Sequence, residues 1–332
     1  MMSRAITSAA RPQLLRGRLG RRLREIALGY LFLLPAFAIL AVFEFFPVFY
    51  GAYISTCNWK ISGCAQFLGL GNYARAFADP DMWHSLLITA SYAILSVPIQ
   101  LGLALIIAYL LFQNFRGKSF YRILFFLPYI TSSVASSAVW AQLLFSPDKG
   151  IINEVLTKLG LPALKWLGEG RGIFDMLAGA GGVHLPEWAG GPSLALISII
   201  IYTTWVFVGY DATIFLAGLG NIPGELYEVA RIDGANGWQL FRYITIPLLS
   251  PTTFLLLLLT VIGTFKAFNH IYVMTLGGPG TATTTTAIMI FKQMFEFNRY
   301  GYSAALSFIL FTVILILTVV QNRVAGSRVV YT

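Results

Sequence analysis

The sequence predicts an all-α integral membrane protein with six transmembrane helices and both termini on the cytoplasmic side. Three observations carry this. Hydrophobic residues fill 57% of the 332 positions and charged residues only 11%, where a soluble domain has about 25% charged. Six stretches are apolar over the roughly 20 residues needed to cross about 30 Å of hydrocarbon. The basic residues collect on alternate connecting segments, as orientation in a bilayer requires. This composition argues against a water-soluble enzyme and against a disordered chain.

The first stretch, Ile26 to Phe43, is uncharged and stays apolar past Glu44. The arginines before it resemble the start of a signal peptide. However, the run exceeds the core of about 7–15 residues and no small-residue cleavage site closes it, so it reads as a retained span. Glu44, followed by Phe45-Phe46-Pro47, is expected where this span bends toward the outer face. The second and third stretches are Leu86 to Phe115 and Ile123 to Pro147. The fourth, Gly191 to Tyr210, is interrupted by Asp211 and continues to Leu219. The fifth, Tyr243 to Phe265, is interrupted by Lys266 and continues to Leu276. The sixth is Tyr300 to Asn322.

The net charge is +9. With the N-terminus inside, the inner segments hold 14 of the 23 basic residues against four acidic ones, and the outer segments hold eight of each. The surplus is thus an orientation signal, not a nucleic-acid footprint. Residues 1–25 form a basic cytoplasmic segment, 26–322 the membrane domain and 323–332 a cytoplasmic tail. The longest outer loop, about 147–192, is expected to be irregular, with one short helix near Ile151 to Leu159 and a Gly-rich piece from Gly168 to Gly191.

Catalytic and metal chemistry finds no support in the residues. Arg116-Gly117-Lys118-Ser119 imitates the end of a phosphate loop, but Phe112 stands where the pattern needs glycine. His84, His184 and His270 belong to no zinc motif, and no nucleophile elbow is present. Cys57 and Cys64 fall on the outer side, where a disulfide closing a small loop is permitted. Two unpaired thiols at the membrane interface fit the sequence equally.

The inner segment from Asn221 to Pro247 carries more information. Pro223 suits the first position of a short helix, and Glu225 suits its first turn. Gly234 stands where that helix would end, and glycine can take the left-handed conformation a C-cap needs. Leu226, Val229 and Ala230 share one face, Glu228 projects from the next, and a second short helix leads to Pro247, which begins the following span. Such a knob reads either as a docking element for a cytosolic partner or as a solvated connector.

The run Glu228, Ala230, Asp233-Gly234-Ala235, Phe241, Ile244 and Pro247 resembles the EAA loop of ABC importer permeases. Val229 stands where the motif has Ala, and Ile246 where Leu is usual. Gly29 to Pro35, Phe265 to Pro279 and Gly301 to Ala305 are similar to that family's opening span, its fifth span and the start of its last. The resemblance is closest to carbohydrate (maltose-type) binding-protein-dependent permeases, first subunit. It implies the type I importer permease fold and a coupling helix that inserts into a cleft of an ATPase subunit. Glu228 would pair there with a basic residue, Ala230, Asp233 and Ala235 would belong to the same contact, and Gly234 would make the turn. It implies a second homologous permease, two ATPase subunits and an extracytoplasmic solute-binding protein as partners, in the cytoplasmic (inner) membrane. No cofactor is expected on this chain; ATP and Mg belong to the ATPase.

Charges within spans are costly and mark function by default. Asp211 and Lys266 could pair, lie at a boundary or line a pathway. Lys266, Asn269 and Tyr272 recur at helical spacing and are expected to share a face. With Phe268 they make the best candidate for a pathway wall, with Tyr210 and Tyr202 as weaker ones. Amide and hydroxyl groups there would bond sugar hydroxyls and aromatic rings would stack on sugar C–H faces; the same residues could equally form a packed helix–helix face. The function so read is the non-catalytic membrane subunit of an ATP-driven importer for a sugar or oligosaccharide. A permease for glycerol-phosphate or polyol solutes, and an ion-coupled secondary transporter, are the alternatives.

Overall fold

The computed structural model describes residue 26 and residues 28–326, apart from 149, 180–185, 187 and 188. The N-terminal basic segment, His184 and residues 327–332 of the tail lie outside the described residues.

Helix α1 spans Leu28–Ser55 and widens into a π-helical turn at Ala41–Phe45. Glu44 sits in that turn, and the helix runs on through Phe46-Pro47 to Ser55. The expected bend is thus a local widening inside one continuous helix. A hairpin follows, β1 (Cys57–Lys60) antiparallel to β2 (Gly63–Phe67), with Gly63 at φ +110° in its turn. Cys57 and Cys64 are disulfide-bonded, with Cα atoms 5.5 Å apart. Helix α2 (Gly71–Ala78) holds the hairpin: Asn72 Nδ2 donates to the carbonyls of Ser55 (2.8 Å) and Cys57 (3.0 Å).

Helix α3 (Pro80–Phe112) starts cleanly because Pro80 needs no N–H partner and the Asp79 side chain accepts from Asp81 N at 3.0 Å. Its 33 residues make about 50 Å, more than hydrocarbon requires, so its polar first turns stand clear of the apolar layer. Pro98 does not interrupt it.

The third apolar stretch is not one straight helix. α4 (Lys118–Ile130) and α5 (Ser133–Leu144) meet at 96°. Thr131 and Ser132 leave helical geometry, and the Thr131 hydroxyl donates to Pro128 O at 2.6 Å, satisfying the freed end. The next segment contains α6 (Ile151–Lys158), where a helix was expected, and a second helix, α7 (Ile173–Gly179), inside the Gly-rich piece read as irregular. α8 (Leu194–Gly220) is capped by Ser193 Oγ, which accepts from Leu196 N at 3.1 Å.

After α9 (Gly224–Ile232), the fifth stretch is also broken. α10 (Gly237–Leu248) and α11 (Ser250–Phe265) meet at 63° at Leu249. Pro247 therefore lies inside the end of α10 and does not begin a span. The chain leaves the helix again at Lys266–Phe268 before α12 (Asn269–Thr275), so the fifth span does not continue to Leu276. α13 (Thr286–Phe291) and α14 (Tyr300–Val324) complete the chain. Among the described residues, four uninterrupted helices, α1, α3, α8 and α14, are long and apolar enough to cross a membrane, and up to six crossings result if each bent pair is one span.

α8 is the central element, packed along α3 and against α4. Ala104, Ala108 and Ala212 are fully or almost fully buried at the α3–α8 contact, where small residues let helices approach in lipid. Gly209 lies directly under the Phe125 carbonyl, leaving no room for a Cβ. In α8 one apolar cluster ends at Val206 and the next begins at Val208.

Candidate functional site

At that junction a cavity of about 380 Å³ opens among α3, the α4–α5 corner, α8, α11 and α12. Its buried charge is Asp211, 2% exposed. Gln100 Nε2 donates to Asp211 Oδ2 at 2.6 Å, which offsets part of the large cost of taking a carboxylate out of water. Lys266 lines the same cavity, and neither ion pair among the described residues involves it or Asp211. The two charges share the cavity without pairing.

The wall combines aromatic faces with amides. Tyr129 and Tyr210 stack with centroids 4.3 Å apart and planes 20° apart. Phe268 and Asn269 lie on the opposite stretch, at the start of α12. The break at Lys266–Phe268 overturns one expectation: Lys266 is not on the helix that carries Asn269 and Tyr272, so the three do not share a helical face. Tyr272 is not a cavity residue. It stacks behind Phe268 at 5.1 Å, with Phe291 against both rings.

One side of the cavity rests on a buried triangle. Tyr92 OH lies 2.8 Å from Thr203 Oγ1 and 3.2 Å from His270 Nε2, and Thr203 Oγ1 lies 3.2 Å from His270 Nε2. Thr203 uses its own proton on Ile199 O, so it accepts from Tyr92, and the network then assigns the proton of the neutral ring to His270 Nε2. This ties α3, α8 and α12 together beside Asn269. Gln100, Tyr129, Tyr92, Thr203 and His270 were missed as cavity residues from sequence. Gln100 did leave a signal, since it is the sole side-chain amide in the 33 residues of α3. Tyr202, the other tyrosine candidate, bonds instead to Ser136 Oγ (2.7 Å) and Ser133 O (3.0 Å) on α5.

The second candidate site is the 221–247 segment. Pro223 caps α9 from outside, φ −58° and ψ 127°, one residue before the position expected for it. At the other end Ala235 N donates to Ala230 O (2.9 Å) and Gly234 N to Arg231 O (3.1 Å), with Gly234 at φ +85°. This is a Schellman stop with glycine in the left-handed position. Two residues later Asn236 and Gln239 form a reciprocal capping box, at 3.0 and 2.7 Å, that starts α10. A helical stop and a helical start thus stand back to back. Tyr227 OH to Thr245 Oγ1 (3.0 Å) ties α9 to α10, and Tyr109 of α3 against Phe241 (4.8 Å) fastens the loop to the bundle.

Glu228 is exposed beside Gln113, Asn114 and Arg231 in a hollow of about 590 Å³. Ala230, Asp233, Gly234 and Ala235 border a second hollow of about 280 Å³ on the other side of α9. Ile232 and Val229 stand 85% and 58% exposed, a large apolar surface for a loop between helices.

An apolar helical bundle with a cavity that holds Asp211 and Lys266 and an exposed stop–start loop at one end has the architecture of a transport subunit. In particular, the chain belongs to the family described as binding-protein-dependent transport system inner membrane component, whose model matches residues 100–328. A probable ABC transporter permease of Pyrococcus horikoshii is 36% identical over 89% of this chain and 94% of its own. The trehalose/maltose transport system permease protein MalF of Thermococcus litoralis is 31% identical over 92% of this chain and 96% of its own. In fold, the chain is similar to one in the crystal structure of a bacterial alginate ABC transporter in complex with alginate pentasaccharide-bound periplasmic protein. The TM-score is 0.74, with 21% identity over 92% of this chain and 96% of the other. The chain is a multi-pass inner-membrane permease of this family.

Proposed function

We propose that this chain is the membrane subunit of an ATP-driven, binding-protein-dependent importer for a sugar or oligosaccharide, that it forms half of the translocation pathway, and that it couples to an ATPase through residues 221–247. The observation that carries this reading is the stop–start loop. It presents Glu228 and the Asp233-Gly234-Ala235 turn outward on a rigid base. The trehalose/maltose relative and the alginate transporter fold support a saccharide as solute. A second homologous permease, two ATPase subunits and an extracytoplasmic binding protein complete the assembly, with ATP and Mg on the ATPases.

Two independent features support the orientation. With the N-terminus inside, the sequence puts 14 of the 23 basic residues on the same alternate segments as the 221–247 loop, the side that positive charge marks as cytoplasmic. The Cys57–Cys64 disulfide lies on the hairpin at the opposite end, and such bonds persist outside the reducing cytosol.

α8 supports the coupling. It carries Asp211 on the cavity wall and ends at Gly220, nine residues or roughly 14 Å later along the axis. Closure of the ATPases would push α9, and α8 would carry that displacement to the cavity wall. The wall itself suits a saccharide, with Asn269 and Gln100 as hydrogen-bonding amides and Phe268 and the Tyr129–Tyr210 pair as stacking faces. The test is transport and ATPase co-purification with Glu228→Gln and Gly234→Ala, beside a sugar screen on the cognate binding protein. Loss of ATPase association with solute binding intact is the expected result; normal coupling in both variants would sink the assignment.

A further inference from the structure

We propose that Asp211 selects the solute: its carboxylate accepts hydroxyl protons at the buried wall of the cavity, admits polyhydroxy solutes and keeps out those that carry a phosphate or carboxylate group. The inference rests on the reading of this cavity as the translocation pathway and narrows the solute within it.

The wall can be sorted by which polar groups still have a proton to give. Asp211 is buried and lines the cavity. Its Oδ2 takes the 2.6 Å bond from Gln100. No described residue donates to its Oδ1. An ionised carboxylate accepts at about four lone-pair sites, and this one has a single donor from its own chain.

Two buried neighbours in the wall add lone pairs as well. The Thr264 hydroxyl spends its proton on Thr260 O at 2.7 Å. His270 spends its ring proton on Tyr92 and Thr203, each 3.2 Å from Nε2, which leaves Nδ1 an acceptor. Both residues line the cavity with Asp211. A solute that meets this wall must bring hydrogens. Saccharide hydroxyls do so. An ionised phosphate or carboxylate sets lone pairs against lone pairs.

Charge acts in the same direction. No ion pair among the described residues holds Asp211, and a carboxylate taken out of water is costly unless donors reach it. A second anion beside it inside the bundle would be repelled with little screening by salt. Lys266 does not cancel this. It is exposed and stands on the three-residue link between α11 and α12, so its ammonium can keep its water. A polyhydroxy solute suits both charges, giving protons to Asp211 and lone pairs to Lys266.

The experiment uses the assembled transporter and a thiol placed in the cavity. Gly263 lines the cavity with nothing within 4 Å of an added Cβ. The chain's two cysteines are joined in a disulfide, so Gly263→Cys supplies one free thiol on this chain. It is treated, with and without ATP, with methanethiosulfonates bearing a hydroxyl, a sulfonate or a trimethylammonium group. Labelling is read on the peptide that contains position 263, and each rate is divided by that reagent's rate on free mercaptoethanol. The sulfonate reagent is expected to run about five-fold behind the hydroxyl reagent, the ratio that roughly 1 kcal/mol gives. The trimethylammonium reagent is not expected to share that deficit, which separates repulsion by Asp211 from exclusion of charge in general. Asp211→Asn, which keeps an acceptor for Gln100, is expected to bring the sulfonate reagent level. Equal normalised rates for sulfonate and hydroxyl reagents with Asp211 in place would overturn the proposal and leave the pathway reading standing. A thiol that reacts with none of the three, with or without ATP, would remove the pathway reading and the proposal with it.

Discussion

Gln100 and Asp211 are joined across the α3–α8 interface by a single hydrogen bond, Nε2 to Oδ2 at 2.6 Å, with both residues almost wholly buried. Gln100→Leu leaves the carboxylate without this donor. Hydrogen bonds to charged groups contribute about 1.5–3 kcal/mol, so the assembled transporter is expected to lose about that much stability in a thermal melt. Asp211→Asn keeps an acceptor for Gln100 and is expected to cost less. Equal losses in the two variants would refute this account of the pair.

Gly209 sets the approach of α8 to α4. The Phe125 carbonyl occupies the space a Cβ would take, so Gly209→Ala must push a backbone aside. Overpacking of this kind costs about 1–3 kcal/mol. Gly263→Ala, on α11 with nothing within 4 Å of its Cβ position, is the matched control and is expected to leave the melting temperature unchanged.

Gly234 and Gly237 separate backbone strain from loss of a side-chain contact. Neither has a neighbour within 4 Å of an added Cβ, but Gly234 sits at φ +85° and Gly237 within the first turn of α10. Gly234→Ala is expected to lose about 1 kcal/mol locally, read by amide exchange of residues 230–235, and to weaken ATPase retention. Gly237→Ala is expected to do neither.

The Glu169–Arg171 pair gives a pH dependence. Its hydrogen bonds with Arg171 hold the Glu169 carboxyl below its ordinary value of 4.5. A carboxyl with a depressed folded value adds stability above its unfolded value and loses it as pH falls through the folded one. Protection of residues 169–179 from proteolysis is therefore expected to fall as the medium is acidified below about pH 4.5. Arg171→Gln is expected to flatten that dependence; an unchanged profile would show that the pair does not hold the segment.

Much of the loop was legible in the sequence because its signals are local. Gly234 marks a left-handed stop whatever surrounds it, and Glu225 marks a first turn. The cavity was less legible. Asp211 and Lys266 were singled out as charges within spans, Asn269 and Phe268 by their spacing from Lys266 and Tyr210 as a weaker aromatic candidate, and all five line it. Tyr272 was misassigned because helical spacing was carried across the break at Lys266–Phe268. The corner at Thr131–Ser132 left no interruption in the apolar run.

The sequence by itself determined the class of the protein, the positions of its four unbroken apolar helices and the stop–start character of the 221–247 loop. Those features follow from composition, charge pattern and glycine stereochemistry, which act over a few residues. Only the tertiary structure decided that Gln100 meets Asp211, that Tyr129 stacks on Tyr210 and that His270 joins Tyr92 and Thr203. Each of these pairs residues from different helices, and helices that are apolar on nearly every side carry no periodic signal that says which face meets which.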